Sequence, residues 1–556
     1  MVAIEENAGH RIFNEGTGFF LSQERIIREK ELGYWPDRVL TDYFEEAVTK
    51  KPDTAAIAVR HTDTDNETEL SYRELNHLVT LVANRFKDLG INKGDVISFQ
   101  LPNWWQFVAI HLACIKVGAV SNPLSPIFRA RELEFMLGHS GTRLLIVPKV
   151  FRDFNYESLA RKLQQALPSL QHLLVIDGEG EEDFSSIFKN NDELVAEMKT
   201  QLQPDDLMKI MFTSGTTGEP KGVMHTSNTL LTAVVQASRR FGLDKNEVLF
   251  MPSPFAHSIG FLYGLMMACY LGVKLVTMDK WDASMAANLV ERHAVTYIFA
   301  STPFLLDLVN LPDLPEHNLE SLRLFVTSGA PVPPVLVSQA RESLNVKIIT
   351  GWGMTETGLI TSTLPTMEDE GIGTDGKPIP CSQVRIVDSE GSEQVRGKVG
   401  SLQCRGSTTF PGYFKRPGLY TVDDSGWFDS GDLATMNEAG YISIAGRAKD
   451  IIIRGGVNIP VVEVEALIYT MPQVREVALV GMPDTRLGEK ACAFVVLHNG
   501  KSMSFREMTD YLAGKELAKQ YLPERLEIIP ELPKTPSGKL QKFILRDMAR
   551  KFVNSA

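Results

Sequence analysis

Cysteine is scarce in this 556-residue sequence and scattered: Cys114, Cys269, Cys381, Cys404 and Cys492 lie far apart, with no CxxC among them. Disulfide frameworks and structural zinc sites need clustered ligands, so neither is expected, and the thiols read as buried and inert in a reducing compartment. Blocks of five or more like charges are also missing, and the net charge is −12. Such a surface repels phosphate backbones and anionic lipid, which argues against a nucleic-acid partner. The longest nearly apolar run, residues 259–273, is short of a bilayer span and ends at Lys274, so it reads as a core segment and no integral membrane association is expected. Residues 1–6 lack the basic and apolar regions of a secretory leader, and residues 553–556 match no lipidation or peroxisomal address, so the expected localisation is cytoplasmic.

A chain of 556 residues is longer than one hydrophobic core usually serves, so at least two domains are expected. No solenoid repeat and no low-complexity stretch is visible. From about residue 55 to residue 275, short β-rich runs alternate with helix-patterned segments at 75–89 and 105–117. Examples of the former are Val96-Ile97-Ser98-Phe99-Gln100, Leu144-Leu145-Ile146-Val147 and Leu173-Leu174-Val175-Ile176. That order predicts βαβ units with parallel strands. Between residues 374 and 441 glycine turns separate short strands, among them 384–388 and 400–405, which predicts an antiparallel sheet or distorted β-barrel. After Arg447 a small α+β set is expected: strands at 451–453, 476–480 and 491–497, and helices at 462–469, 505–515 and 542–551. The fold class is therefore a large N-terminal α/β domain, with βαβ subdomains plus the distorted barrel, followed by a small α+β C-terminal domain. The boundary is placed at Lys449, giving domains 1–448 and 449–556.

The densest chemical signal is Thr213-Ser214-Gly215-Thr216-Thr217-Gly218-Glu219-Pro220-Lys221-Gly222, entered by Lys209-Ile210-Met211-Phe212. Glycines let backbone N–H groups approach a ligand closely, while the hydroxyls and Lys221 add donors for phosphate oxygens. A mobile surface loop has no need of so many donors, so nucleotide phosphates are the expected ligand. It is not a Walker A loop, because Pro220 stands where that motif needs its second glycine.

This segment resembles the signature loop of the adenylate-forming superfamily: acyl-CoA synthetases, adenylation domains of peptide synthetases, and luciferases. The likeness continues in order from about Asp42 to Arg546. Pro254-Phe255-Ala256-His257-Ser258-Ile259-Gly260 resembles the block whose histidine lines the acid pocket, although a histidine beside Ile and Phe is by itself an ordinary core residue. Ser328-Gly329-Ala330-Pro331 resembles the turn under the adenine. Thr350-Gly351-Trp352-Gly353-Met354-Thr355-Glu356-Thr357 resembles the Tyr-Gly-x-Thr-Glu block, with Trp352 in place of the tyrosine. That departure keeps a flat face for adenine and loses the phenol hydroxyl. The resemblance implies that Thr355 touches the α-phosphate and that Glu356 holds Mg²⁺, a hard ion suited to carboxylate plus phosphate oxygens. In Gly426-Trp427-Phe428-Asp429-Ser430-Gly431-Asp432 the implied ribose ligand is Asp432, since a carboxylate can accept from both hydroxyls of a diol. Arg447 matches a ribose and phosphate contact, Lys449 an interdomain hinge, and Gly455-Gly456 the edge along which pantetheine enters. Lys539, in Pro533-Lys534-Thr535-Pro536-Ser537-Gly538-Lys539, matches the lysine that bridges carboxylate and α-phosphate, whereas Lys534 reads as a surface lysine.

The resemblance is nearest to short- and medium-chain acyl-CoA synthetases and cyclohexanecarboxylate–CoA ligases. It implies an ATP-dependent acid–CoA ligase whose C-terminal domain is mobile. A carboxylic acid and ATP would give acyl-AMP and pyrophosphate, and CoA would then take the acyl group and release AMP. Implied catalytic residues are Lys539, His257, Thr355 and Glu356, with ATP, Mg²⁺ and CoA as ligands and a homodimer as an allowed assembly. The implied acid is a short- or medium-chain fatty or alicyclic one, in an apolar pocket lined in part by His257, Ile259, Gly351 and Met354, where Gly351 leaves room for a branch or ring. A stand-alone adenylation enzyme that loads a carrier protein is one alternative. It is disfavoured because no carboxylate follows Phe255 to hold an α-amino group. A non-catalytic nucleotide-binding protein is another, disfavoured because Glu356 and Lys539 are both present.

Overall fold

The computed structural model describes residues 17–553, apart from 189–197, 214–218, 331, 367–370, 456, 516, 536 and 537. By internal contacts the chain divides into two compact units. One holds residues 1–299, 354–358 and 406–421, and the other residues 300–353, 359–405 and 422–556.

In the first unit a six-stranded sheet runs Lys221–Thr226, Leu207–Thr213, Val120–Pro123, Val96–Phe99, Leu144–Pro148, His172–Ile176. The last five strands are parallel, and only the Lys221–Thr226 strand pairs antiparallel. The crossovers are helices Trp105–Val117, Ala130–Ser140 and Tyr156–Ala166, the βαβ arrangement that the alternating pattern predicts. A second set of strands in this unit is ordered Tyr297–Ala300, Val248–Met251, Lys274–Met278, Ala55–His61, Asn66–Ser71.

The helices start where their sequences supply caps. Ser71 accepts the Glu74 N–H on its hydroxyl at 3.2 Å, and Glu74 returns a carboxylate to the Ser71 N–H at 2.8 Å. This capping box opens helix Tyr72–Asp88, whose Leu75, Val79, Val82 and Phe86 are buried at helical spacing. Helix Trp105–Val117 is buried on nearly every side and stops at Gly118, which takes a left-handed φ of 77°. The apolar segment after His257 folds as a buried π-helix, Gly260–Met266, followed by helix Met267–Leu271. No helix among the described residues is long and apolar enough to cross a membrane.

In the second unit, parallel strands Leu324–Ser328 and Lys347–Met354 set Ser328 opposite Gly351. A four-stranded sheet follows, ordered Ser382–Val387, Gly400–Gly406, Phe428–Met436, Ile442–Arg447, with its last three strands antiparallel. The terminal stretch forms a five-stranded sheet around strands Val474–Asp484 and Gly488–Leu497. Their side chains alternate between two cores. Leu479, Ala491, Ala493 and Val495 pack with helices Val461–Tyr469 and Phe505–Gly514. Ala478, Val480, Cys492, Phe494 and Val496 pack with Leu545 and Ala549 of helix Lys542–Val553. Covering both faces explains why these strands read as unbroken apolar runs. All five cysteines are free and buried, and burial pushes Cys114, Cys269 and Cys492 up to about 12, so they stay protonated and unreactive.

Candidate active site

Strands Leu207–Thr213 and Lys221–Thr226 form a hairpin with Thr213 opposite Lys221, so the expected phosphate loop closes its tip. Ser214, Gly215, Thr216, Thr217 and Gly218 lie outside the described residues. Lys221 places its Nζ 5.0 Å from the centre of the Tyr413 ring, and Tyr413 donates its O–H to Glu356 Oε1 at 2.8 Å. Burial, and then the neighbouring Glu356 carboxylate, push the Tyr413 phenol well above its ordinary range, so it remains a donor. The Phe410 N–H donates to the Glu356 carbonyl at 2.8 Å. His225 Nε2 donates to the Thr355 carbonyl at 2.7 Å. Burial holds His225 down to about 3, so the ring is neutral. With Nε2 carrying the proton, Nδ1 accepts from Thr229 Oγ1 at 3.1 Å. The first unit thus brings Lys221, Tyr413 and His225 next to the Thr355-Glu356 pair, with Thr213 across the hairpin from Lys221.

His257 sits in the turn ahead of the π-helix. Its N–H donates to the Pro254 carbonyl at 2.9 Å, and its Nδ1 accepts from the Ile259 N–H at 3.4 Å. Asn103 fixes the same turn from another element, donating to the Ser253 carbonyl at 3.0 Å and accepting from the Phe255 N–H at 2.7 Å. A Cβ at Gly260 would stand 2.2 Å from the Pro254 carbonyl oxygen. Only glycine therefore lets the helix begin this close to the turn.

In the second unit the residues expected at adenine and ribose meet around Asp432. Trp352 donates its indole N–H to Asp432 Oδ2 at 2.9 Å, and Arg447 Nε lies 2.9 Å from Asp432 Oδ1. Asp432 and Arg447 face one another across adjacent strands, which explains their pairing. The turn Ser328-Gly329-Ala330 leaves its strand beside Gly351, and the Ala330 carbonyl accepts from Thr302 Oγ1 at 3.2 Å. Pro331 lies outside the described residues. Gly351 itself is demanded by sheet packing, since a Cβ there would meet the Thr361 carbonyl oxygen at 2.7 Å. This corrects the expectation that it leaves space for substrate. Asp375 joins the cluster, accepting from the Ile444 N–H at 2.8 Å. Burial, with help from the Asp432 charge, pushes its carboxyl up to about 6.

Of the remaining expected residues, Lys449 lies in the short 3₁₀ turn Ala448–Asp450, between Arg447 and the ion pair of Asp450 with Arg546. Gly455 donates its N–H to the Leu487 carbonyl at 2.7 Å, and Gly456 lies outside the described residues. Lys539 is exposed in a tight turn, its N–H donating to Thr535 Oγ1 at 3.0 Å. The preceding Gly538 would bring a Cβ to 2.9 Å from Pro303 and 3.0 Å from Ser301. Its turn therefore lies against the start of helix Thr302–Val309, whose first residue holds Ala330. Lys534 pairs with Glu476.

Sequence reasoning missed Tyr413, His225, Asn103 and Asp375. Only Tyr413 carried a signal, the aromatic turn Phe410-Pro411-Gly412-Tyr413-Phe414. The others look like ordinary strand or loop residues until folding brings them to their partners.

A family model described as AMP-binding enzyme matches residues 44–414, and one described as AMP-binding enzyme C-terminal domain matches residues 463–539. The medium-chain fatty-acid–CoA ligase of Escherichia coli K12 is 34% identical over 545 residues, covering 96% of this chain and 94% of its own. The mitochondrial medium-chain acyl-CoA ligase of Homo sapiens is 28% identical, covering 92% of this chain and 87% of its own. Among solved structures, the anthranilate CoA ligase AuaEII with anthranoyl-AMP matches with a TM-score of 0.84 at 26% identity, covering 93% of this chain and 98% of that one. ATP-bound MatB from Rhodopseudomonas palustris gives 0.81 at 26% identity, covering 93% and 100%. The chain belongs to the AMP-binding, adenylate-forming enzymes, as an ATP-binding member of the AMP-forming acid–CoA ligases.

Proposed function

We propose that the protein activates a short- or medium-chain fatty or alicyclic acid as its acyl-adenylate and transfers the acyl group to CoA. The observation that carries this reading is the chain of contacts Lys221–Tyr413–Glu356. It ties the tip of the expected phosphate hairpin to a buried carboxylate. A carboxylate must attack a phosphorus already surrounded by anionic oxygens, so the site has to neutralise both partners. A buried Glu356 whose carboxylate, among the described residues, is held by the neutral Tyr413 phenol fits Mg²⁺, which takes one or two carboxylates together with phosphate oxygens. When bound, Mg²⁺ supplies positive charge where the transition state gathers negative charge.

The rest falls to the chain's own groups. Thr213 and Lys221 stand at the phosphate end, Thr355 and Glu356 beside them, and His257 in the turn facing the acid. Trp352, Asp432 and Arg447 hold adenine and ribose with the Ser328-Gly329-Ala330 turn. Lys539 supplies the cation between carboxylate and α-phosphate. We place the domain division at 448/449, with Lys449 absorbing the rotation that exchanges the two half-reactions and Gly455 lining the pantetheine entry.

A pyrophosphate-release assay over about twenty acids, followed by CoA thioester detection, tests the reading. Fatty and alicyclic acids should give both products, and release only with α-amino acids overturns the substrate class. Lys539→Ala should slow adenylation by about 10²–10³-fold while synthetic acyl-adenylate plus CoA still yields thioester. Equal loss of both steps in a folded variant contradicts the two-conformation scheme.

A further inference from the structure

The phosphate hairpin continues inward to a feature that adenylation does not require. Its face that carries Thr213 and Lys221 at the tip next presents Met211 with Val223, and then Lys209 with His225. At about 3.3 Å per residue, Lys209 lies roughly 13 Å along the strand from Thr213. Met211 marks the route, because its sulfur accepts from Ser258 Oγ at 3.4 Å, next to His257. Counted inward from the hairpin tip, Lys209 thus lies beyond the residue that touches the His257 turn, and on the ligase reading that is the direction of the far end of an acid substrate.

Lys209 is fully buried. Its Nζ lies 4.1 Å from the centre of the Phe261 ring and 3.9 Å from Met211 Sδ. Among the described residues no carboxylate pairs with it, and the titratable groups that sense its charge are two histidines, His111 and His225. Both are neutral at ordinary pH, held down to about 3 by burial and then by the lysine itself. His111 Nδ1 is engaged by Ser121 Oγ at 2.8 Å, while its buried Nε2 has no hydrogen-bond partner. An ammonium in apolar surroundings without an anion is costly, and burial alone brings Lys209 down to about 7. A methionine or leucine would fill this position without that cost. Lys209 and His111 both lie against the Phe261 ring, and His111 senses the lysine's charge. Two buried polar groups, one able to carry a positive charge and one lacking a partner among the described residues, therefore stand where an oxygen acceptor would satisfy them.

We propose that Lys209 is a specificity residue whose Nζ receives an oxygen acceptor carried by the acid substrate at the end remote from its reacting carboxylate, with His111 beside it. The preferred substrates are then oxygen-bearing acids, ω-carboxylates or ketones, and plain hydrocarbon acids are poorer. This rests on the acid–CoA ligase reading above. A plain chain would leave the ammonium buried and unpaired, which is the situation in which hydrogen-bonding pockets discriminate most strongly.

The test compares kcat/KM for pyrophosphate release with octanoate, its ω-carboxy analogue suberate, and the keto acid of equal length. The wild type should favour at least one oxygen-bearing acid over octanoate by about tenfold or more. Preference for suberate alone identifies a second carboxylate as the recognised group, and preference for the ketone alone a neutral oxygen. Lys209→Met, of similar length and apolar, should reverse the ratio by raising octanoate and lowering the oxygen-bearing acid. Lys209→Gln, which keeps a donor, should retain part of the preference. A wild type that favours octanoate over both analogues overturns the proposal whether or not the variants fold. So does a folded Lys209→Met protein whose ratio is unchanged. Absence of pyrophosphate release with every acid tried would instead count against the ligase reading itself.

Discussion

The two units solve the same electrostatic problem in different ways. In the first, Glu356 is buried with a neutral phenol as its side-chain partner, and the supporting ring, His225, is itself neutral. In the second, Asp432 shares its two oxygens between an indole N–H and the Arg447 guanidinium. Asp375, which senses the Asp432 charge, has a backbone N–H and, among the described residues, no cation, and it is the carboxyl driven up to about 6. A buried carboxylate can thus be supported by neutral donors or by a cation. One that has little of either, with a second carboxylate nearby, tends to keep its proton. On the proposed function, the neutral arrangement around Glu356 would suit an added cation, whereas the Arg447 pairing around Asp432 already supplies one.

The sharpest way to break this comparison is Glu356→Gln. It removes the charge and keeps the shape, and several kcal/mol of metal-derived stabilisation corresponds to at least about a hundredfold loss in adenylation rate. The deficit should shrink as Mg²⁺ is raised, and wild-type rates at every Mg²⁺ concentration would remove Glu356 from the site. A smaller effect is expected from Tyr413→Phe. Loss of one hydrogen bond to a charged group, about 1.5–3 kcal/mol, should cost roughly tenfold or more in adenylation. The thermal melt should fall by no more than this one hydrogen bond accounts for, because the ring and its contact with Lys221 remain. An unchanged rate would mean that the phenol does not orient Glu356.

The smallest effect concerns stability. Between the usual carboxylate range near 3.9 and the folded value of about 6, the folded chain holds a proton at Asp375 that the unfolded chain gives up. The folded state binds more protons there, so this residue's contribution to stability falls as pH rises through that window. Asp375→Asn removes the penalty. It should raise the melting temperature at neutral pH by about 2 °C or more, with the gain vanishing below about pH 4. A gain that persists at low pH would point to packing rather than to ionisation.

Much of this was legible in the chain itself. Helix Trp105–Val117 is largely apolar, interrupted by Gln106, His111 and Lys116, and it is ended by a glycine. The strands of the terminal sheet are equally plain, because Ala478 to Val480 and Ala491 to Val496 bury both faces. The two strands that flank the expected phosphate loop pair as a hairpin; the loop itself was singled out because backbone approach to phosphate would demand glycine and hydroxyl residues in sequence, a local requirement. Trp352, Asp432 and Arg447 were readable as separate motifs. That the indole N–H and the guanidinium meet on one carboxylate is a matter of strand register.

What tertiary structure alone decided are the partnerships between residues distant in the chain. Tyr413 reaches Glu356 across 57 positions, and His225 reaches Thr355 across 130. Gly351 belongs to the packing of its sheet, because the atoms that exclude a side chain come from a neighbouring strand. Lys209 stands in an otherwise apolar run, and nothing local in its neighbours shows that no carboxylate among the described residues pairs with it. Sequence determines whether a segment can be helix, strand or phosphate loop, since those are set by propensity, periodicity and backbone freedom within a few residues. The charge state and partners of a buried group depend on every element packed around it, and only the folded chain supplies that.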